Sequence, residues 1–307
     1  MARDPEFWRL GLAYPLLARL PDALAYPLAG RVGVWGPAER AGIANAFLHG
    51  ARRMLPDRAP APGSREEAQW RHRHLALFAH EQLDARHLPA LAQGGRKMEL
   101  PRIEGLDALD SAREEGQGVI LVMAHYGRFI LLLAQLGLLG YRMSMLTMRI
   151  DSANPALSPR RRAFLSNKVA GLLGCIGGAW LSVGDNLRPM LEGLRQGETW
   201  IVLMDAYEGP SIGELPSYPF LGGQLHLPSG IPRLANRTGA RLVYASVTEE
   251  ADGTMGGRLV GLSGDAETAF EAAVAELALD VQTAPWAWWP WSLMDRAWHS
   301  EAERQPG

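Results

Sequence analysis

The chain has 307 residues, 47% of them hydrophobic, which is enough to bury a large core in one domain. A formal net charge of −2 and an isoelectric point near 6.5 exclude the global positive field that attracts nucleic acid. The only cysteine, Cys175, excludes a disulfide within one chain and is typical of a reducing compartment. We expect it to be a small buried filler.

The N-terminal stretch predicts no secretory signal, because Arg3, Asp4 and Glu6 precede a short apolar run without a cleavage-site pattern. We expect no membrane span, since uncharged stretches such as 169–184 fall short of the ~18 residues required. Residues 7–30 mix Trp, Tyr, Leu and Pro with few charges. This composition suits either a segment on a membrane surface or short helices packed on the body.

Residues 36–93 have apolar side chains at helical spacing, interrupted by the loop PDRAPAPG, and predict two helices. Ser64 and Glu67 form a capping box at the start of the second helix. This helix carries four histidines, and no two of them stand four residues apart as metal ligands on one face would. We therefore expect solvated side chains at His72, His74, His80 and His87.

From residue 117 short apolar runs alternate with helical stretches, which is typical of an α/β fold with a largely parallel sheet. The predicted strands are 118–124, 141–148, 199–205 and 240–248. The predicted helices lie near 128–139, 155–174, 186–196 and 229–238. We expect one structural domain overall, in which an N-terminal helical segment (1–100) packs on an α/β core (101–307) whose central sheet is flanked by helices.

Two candidate catalytic side chains follow strands of this sheet. His125 comes after the first strand, and its imidazole can take a proton from a hydroxyl or amine near neutral pH. Gly127 lets substrate or backbone come close. Asp205 comes after the third strand and can orient the histidine or bind a cation. Because parallel strands end at one edge of a sheet, we expect His125 and Asp205 within about 10 Å of each other.

Two further clusters are candidates for binding. Arg160, Arg161 and Arg162 stand beside a helix start, where guanidinium groups suit phosphate or carboxylate, although a solvated basic turn is equally typical. Five of the ten tryptophans lie between residues 286 and 298. They predict a packed C-terminal helix, an interfacial aromatic belt or a wall against an apolar ligand.

Taken in order, five segments resemble the lauroyl and myristoyl acyltransferases of late lipid A biosynthesis, within the lysophospholipid acyltransferase-like superfamily. These segments are AHYGRFI, NPALSPRRRAFLSNK, GLRQGETWIVLMDAYEGP, PFLGGQLHLPSGIPRLANRTGARLV and APWAWWPWSLMDRAW. The resemblance covers roughly residues 15 to 300. It implies transfer of an acyl chain from an acyl carrier protein or coenzyme A thioester to a glycolipid hydroxyl.

The resemblance also implies roles for single residues. His125 matches the family's basic histidine, Asp205 matches a later aspartate, and Arg162 most simply matches an arginine important in relatives. We assign Gly127, Arg128, Arg162 and Tyr207 to substrate binding. The family's acid follows its histidine after four residues, and here Ile130 occupies that position. Asp205 or a backbone carbonyl must then hold the imidazole.

Two other departures from the family concern its acceptor. The hydrophobic anchor of relatives is shortened and interrupted by Arg19 and Asp22, and their basic C-terminal stretch is replaced by SLMDRAW. Both weaken the case for a phosphorylated lipid A acceptor embedded in the membrane.

These observations leave three interpretations open. The first is an acyltransferase that uses a thioester of acyl carrier protein or coenzyme A, His125 as general base, and a hydroxyl or amine on a lipid or small molecule. The second is an aminoacyl or short-acyl transferase of a secondary-metabolite pathway, which meets nucleic acid only if its donor is an aminoacyl-tRNA. The third is a silent lipid-binding homologue, for which Ile130 is the best argument.

We expect no cofactor and no metal ligand set. The expected location is the cytoplasm, with room for peripheral contact with the inner membrane.

Overall fold

The computed structural model describes residues 6–33, 37–152, 154–155, 157–206, 212–250 and 253–300. In chain order the helices are α1 (Tyr14–Leu17), α2 (Asp22–Val32), α3 (Pro37–Met54), α4 (Arg65–Ala92), α5 (Asp107–Glu114), α6 (Phe129–Leu138), α7 (Pro159–Ile176), α8 (Arg188–Arg195), α9 (Gly230–Thr238), α10 (Ala266–Thr283) and α11 (Met294–Ala297). A π-helical segment covers Phe7–Ala13, and 3-10 turns cover Ile212–Glu214, Pro285–Ala287 and Pro290–Leu293.

The strands are β1 (Arg102–Glu104), β2 (Val119–Met123), β3 (Met143–Thr147), β4 (Gly177–Ser182), β5 (Thr199–Leu203), β6 (Ser217–Phe220), β7 (Gly223–His226), β8 (Arg241–Glu249), β9 (Met255–Gly261) and β10 (Trp298–Ser300). Within the described residues, seven of them form a sheet in the order β1-β9-β8-β2-β5-β3-β4. Only the β8–β9 pair in it is antiparallel. A small antiparallel sheet has the order β10-β7-β6. The predicted α/β fold, with a largely parallel sheet between helices, is confirmed.

The centre of the large sheet is buried on both faces, which explains why the VILVM run of β2 is apolar throughout. Ile120 and Val122 pack in the core on the side of α10. Leu121 and Met123 pack in the opposite core with α6 and α7. The expectation that β2 and β5 are core strands of one sheet is confirmed, since they pair in parallel in direct register.

Helix α4 is covered on several sides, and this decides the environment of its histidines. Ser64 caps its start by accepting a hydrogen bond from the Glu67 amide (3.1 Å), as the capping box predicts. The helix contacts α2, α3, α6 and α7. The expected solvation is wrong for His74 and His87, which are buried where other elements pack on α4.

The tryptophan-rich segment does not form the packed C-terminal helix that was one of its predicted structures. Its residues form two 3-10 turns, the short α11 and β10. Trp288, Trp291 and Trp298 are buried in the core on the side of α10, so the segment closes that core. Pro290 would lie inside any longer helix that began at Pro285, and it lacks the amide donor that such a helix needs there.

Across the described ranges, no helix combines the length and apolarity that crossing a bilayer requires.

Candidate active site

His125 and Asp205 meet at the carboxyl edge of the large sheet. Each lies two residues beyond a strand, His125 after β2 and Asp205 after β5. The last residues of these strands, Met123 and Leu203, pair with each other, so the two loops leave the sheet side by side. The His125 Nδ1 atom lies 2.9 Å from Asp205 Oδ1. The expected proximity of these side chains is therefore confirmed.

The carboxylate of Asp205 is buried and fully engaged. Its side chain is 3% exposed and accepts hydrogen bonds from the His125 main-chain amide at both oxygens (3.0 and 2.9 Å). The indole Nε1 of Trp288 donates to Oδ2 at 3.0 Å. An ionised carboxylate only accepts hydrogen bonds, so the imidazole must donate from Nδ1. These contacts fix the plane of the carboxylate and, through it, the orientation of the His125 ring.

The other imidazole nitrogen, Nε2, is the atom available to exchange a proton with a bound group. Within the part of the chain that the structure describes, no hydrogen bond reaches it, and the His125 side chain is 29% exposed. Phe129 and Trp289 form apolar walls, with ring centroids 5.6 and 6.0 Å from the imidazole. With the proton on Nδ1, Nε2 carries a lone pair that can accept a proton from a bound group.

Gly127 shapes the turn between His125 and α6. Its φ of +58° is a left-handed conformation that glycine adopts without strain, and a Cβ there would lie 2.3 Å from the Val247 carbonyl oxygen. Its amide donates to the Ala287 carbonyl (2.8 Å), and its carbonyl accepts from Trp289 Nε1 (3.2 Å). The described contacts of Gly127 are therefore with backbone and indole, and its substrate-binding role stays a prediction.

Arg128 is committed to a buried ion pair. Its Nε and Nη2 atoms donate to the two oxygens of Asp84 at 2.9 and 2.6 Å. Tyr26 also donates to Asp84 (2.6 Å), and its ring lies 4.6 Å from the guanidinium. Burial alone would lower the pKa of Arg128, but the charge of Asp84 outweighs burial and raises it. This ion pair joins α4 to the start of α6, and the assigned contact with substrate remains a prediction.

The remaining assigned residues lie elsewhere. Arg162 donates from Nη1 to the Leu157 carbonyl (3.0 Å) at the start of α7, and among the described residues it bonds neither His125 nor Asp205. Arg161 pairs with Glu6 (2.6 Å), and Arg160 lies over the Phe7 ring. These two arginines thus hold Glu6 and Phe7 against the start of α7. Tyr207 lies outside the described residues.

Ile130 occupies the second position of α6 and is 1% exposed in the core shared with Met123 and Leu133. Its surroundings are apolar, as its neighbours in sequence predict. No metal site competes with the His125–Asp205 pair in the described ranges, where no three His, Cys, Asp or Glu side chains could hold one ion. Cys175 is half-buried, and burial raises the pKa of its thiol.

Sequence reasoning missed two parts of the site. The bond from Trp288 to Asp205 joins residues 83 positions apart, and the only signal for it was the dense tryptophan segment. Lys168, one of two lysines in the chain, pairs with Glu81 and lies over the rings of Phe129 (5.3 Å) and Trp289 (6.0 Å). The Lys168 ammonium thus contacts the two aromatic rings that flank His125.

An imidazole held by a buried carboxylate at the edge of a largely parallel sheet suits an enzyme that uses histidine as a general base. The family model described as bacterial lipid A biosynthesis acyltransferase matches residues 74–291, more than two thirds of the chain, and the chain belongs to this family. Membership implies acyl transfer in general, from an acyl donor to a lipid acceptor. No individual curated protein matched the sequence.

Proposed function

We propose that the protein transfers an acyl group from a thioester of acyl carrier protein or coenzyme A to a hydroxyl or amine, with His125 as general base. The observation that carries this is the 2.9 Å contact between His125 Nδ1 and Asp205, which leaves Nε2 without a hydrogen-bond partner among the described residues. Family membership supports the reaction class. Asp205 here supplies the orienting charge that Ile130 cannot.

The proposed reaction moves one proton in two steps. His125 Nε2 accepts the proton of the acceptor hydroxyl or amine as its oxygen or nitrogen attacks the thioester carbonyl carbon. The resulting imidazolium is stabilised by the adjacent Asp205 carboxylate. When the tetrahedral intermediate collapses, the carbon–sulfur bond breaks and the leaving thiolate takes the proton from Nε2. The acyl ester or amide and the free thiol are the products, and the imidazole is neutral again.

The test is thioester consumption by His125→Ala, measured with long-chain, short-chain and aminoacyl donors in turn. General-base catalysis supplies about 100- to 10,000-fold, so we expect a loss of that size in kcat/KM with an unchanged melting temperature. His72→Ala, at an exposed position of α4, is the matched control and should turn over normally. Undiminished turnover in His125→Ala would refute the base assignment, and no consumption of any donor would favour a silent lipid-binding protein.

We also propose that the N-terminal segment touches a membrane surface peripherally. Five large apolar side chains between residues 7 and 24 are exposed: Phe7 (41%), Trp8 (50%), Leu12 (38%), Leu16 (58%) and Leu24 (56%). Aromatic and leucine side chains on short helices lie favourably at the headgroup boundary, and a lipid acceptor would be reached there. We call residues 7–24 the N-terminal segment below.

A further inference from the structure

A groove of about 790 Å³ runs between α4 and α7, and the N-terminal segment forms its rim. This volume lies in the range of small-molecule binding sites. Leu10 and Pro15 border it on one side, and Ala163, Ala170 and Gly174 on α7 leave it open because their side chains are small. The walls are therefore mostly apolar. We call this space the α4–α7 groove.

The charged residues that line the α4–α7 groove are all cationic: Arg86, Arg160 and Lys168. Lys168 forms an ion pair with Glu81, which is not one of the residues that line the groove. Arg86 differs, because its hydrogen bonds go to the main-chain carbonyls of Gln82 (2.9 Å) and Leu10 (2.8 Å), and no carboxylate of the described residues forms an ion pair with it. The groove thus presents a cation whose charge is not matched by an acid.

The surroundings of Arg86 make this charge costly to bury alone. The guanidinium lies over the rings of Tyr14 (5.7 Å) and Phe164 (5.4 Å), and burial lowers its pKa to about 10. An anion beside it would restore the missing counter-charge, and a guanidinium suits phosphate through paired hydrogen bonds. The remaining apolar walls would at the same time accept a hydrocarbon chain.

The α4–α7 groove connects two regions already described. Lys168, which lines it, lies over the rings of Phe129 and Trp289 that flank His125. At its rim Leu10, Gly11 and Pro15 belong to the N-terminal segment, which exposes Trp8, Leu12 and Leu16. A chain-bearing ligand could pass from a membrane surface into the groove without crossing the protein core.

We propose that the α4–α7 groove binds a single-chain anionic amphiphile from the membrane, with its phosphate on Arg86 and its hydrocarbon chain along α7. This site lies beside the His125–Asp205 pair and takes no part in the acyl transfer. Binding there would fix the N-terminal segment on α4, because Arg86 also holds the Leu10 carbonyl. This binding requires the α4–α7 groove and Arg86, and it does not depend on the proposed acyl transfer.

The first experiment is calorimetric titration with dodecyl phosphate and with dodecylphosphocholine, which share a chain but differ in net head-group charge, both below micelle-forming concentrations. We expect the wild type to prefer dodecyl phosphate by about 10-fold or more, as a hydrogen-bonded charge pair would give. Arg86→Gln should lose this preference, whereas Arg188→Gln, an exposed arginine on α8, should keep it. Equal preference in wild type and Arg86→Gln would overturn the proposal.

A second set of measurements tests whether the hydrocarbon chain occupies the groove. Ala170→Phe, at an exposed position of α7, should fill the groove and weaken both amphiphiles about 10-fold, and unchanged binding would overturn the proposal. Inorganic phosphate alone should bind far more weakly than dodecyl phosphate, and equal affinity would also contradict us. If Arg86→Gln melts early, Arg86→Lys takes its place and should retain part of the preference.

The outcome is distinguishable from failure of the proposed function. His125→Ala should bind dodecyl phosphate like the wild type while losing acyl transfer. Normal acyl transfer together with no head-group preference would remove only the groove proposal. A head-group preference that depends on Arg86, without any acyl transfer, would remove only the proposed function.

Discussion

Ile130 stands where we expect the acid of the family motif, and the carboxylate that contacts His125 comes from the loop after β5. Ile130 points into a core of leucine and methionine side chains. Asp205 reaches the imidazole from the neighbouring strand end and accepts three hydrogen bonds from the His125 amide and Trp288, besides that of the imidazole. In the proposed mechanism the orienting acid therefore stands in the loop after β5 and not on α6.

Asp205→Asn should reduce acyl transfer with little change in fold. Asparagine keeps the size of the side chain but removes the charge and presents one amide donor toward groups that are themselves donors. Loss of an orienting carboxylate costs about 10,000-fold in a serine protease, so we expect at least ~100-fold in kcat. Steady-state kinetics and thermal melting of the same preparation check this. Wild-type turnover in Asp205→Asn would show that backbone contacts alone orient His125.

Ile130→Glu should destabilise the protein instead of restoring the family arrangement. A glutamate there would bury an acid without a partner among apolar side chains, at a cost of several kcal/mol, about 3 or more. Ile130→Val is the control, with an expected loss of about 1 kcal/mol. Chemical denaturation of both variants measures the difference. A stable Ile130→Glu protein with faster turnover would mean that the new carboxylate reaches His125.

The positions of His125 and Asp205 were predictable because strand ends of a parallel sheet share an edge. The hydrogen bond from Trp288 to Asp205 and the ion pair between Arg128 and Asp84 were not predictable. Each joins residues far apart in sequence whose types carry no local pairing signal. The assignment of Arg128 to substrate came from its place beside His125. Its guanidinium pairs with Asp84 on α4, and its contact with substrate stays a prediction.

Among the elements, those between residues 118 and 248 with strong apolar patterns were predicted, whereas the short strands β6 and β7, the strand β9 and the long helix α10 were missed. The apolar runs of β2 and β5 identified the sheet, because three to five consecutive buried residues leave few alternatives. The hairpin of β6 and β7 has only four residues in each strand and a proline within one of them. β9 contains three glycines, which favour no strand by themselves.

Helix α4 shows why a charged helix can still be internal. Charged residues occur on every side of the helix, so its sequence lacks the single apolar stripe of a surface helix. This pattern led us to expect solvated histidines. His74 is buried against Phe47, and its Nδ1 donates to the Trp286 carbonyl (2.9 Å). Its Nε2 has no partner among the described residues. Burial lowers the pKa of His74 to about 4, so the ring is neutral in the folded protein at pH 7.

Folding stability should therefore fall in mild acid because of His74. Between its unfolded pKa, about 6.5, and its folded pKa of about 4, the unfolded chain binds the proton and the folded chain does not. Stability in this window rises with pH, and His74 alone should remove about 2 kcal/mol between pH 7 and pH 5. His74→Gln should flatten this dependence in urea unfolding curves, and His72→Gln should not. Parallel pH curves for wild type and His74→Gln would contradict the assignment.

At the scale of the whole molecule, exposed apolar side chains concentrate in the N-terminal segment. Another exposed pair, Leu138 and Leu139, lies at the end of α6 and provides a matched comparison. If the N-terminal segment contacts membranes, the double change Trp8→Ser and Leu16→Ser should abolish co-flotation with phospholipid vesicles. The change of Leu138 and Leu139 to serine should leave it intact.

The contact should also be peripheral, so carbonate or high salt should release the wild-type protein from vesicles. Retention until detergent is added would indicate a deeper insertion. Equal flotation of both serine variants would show that the N-terminal segment is not the contact. Both measurements use the intact chain and need no substrate.

The hydrogen bonds that Ala287, Trp288 and Trp289 make with Gly127, Asp205 and His125 have a consequence for protein synthesis. A ribosome adds His125 and Asp205 well before it adds these three residues. A nascent chain that stops short of position 287 contains the residues of β2 and β5, but its Asp205 lacks the indole donor and its His125 loop lacks the bonds to residues 287 and 289. We expect a probe that recognises the folded His125–Asp205 site not to bind such stalled chains. The site would then form only near the end of translation.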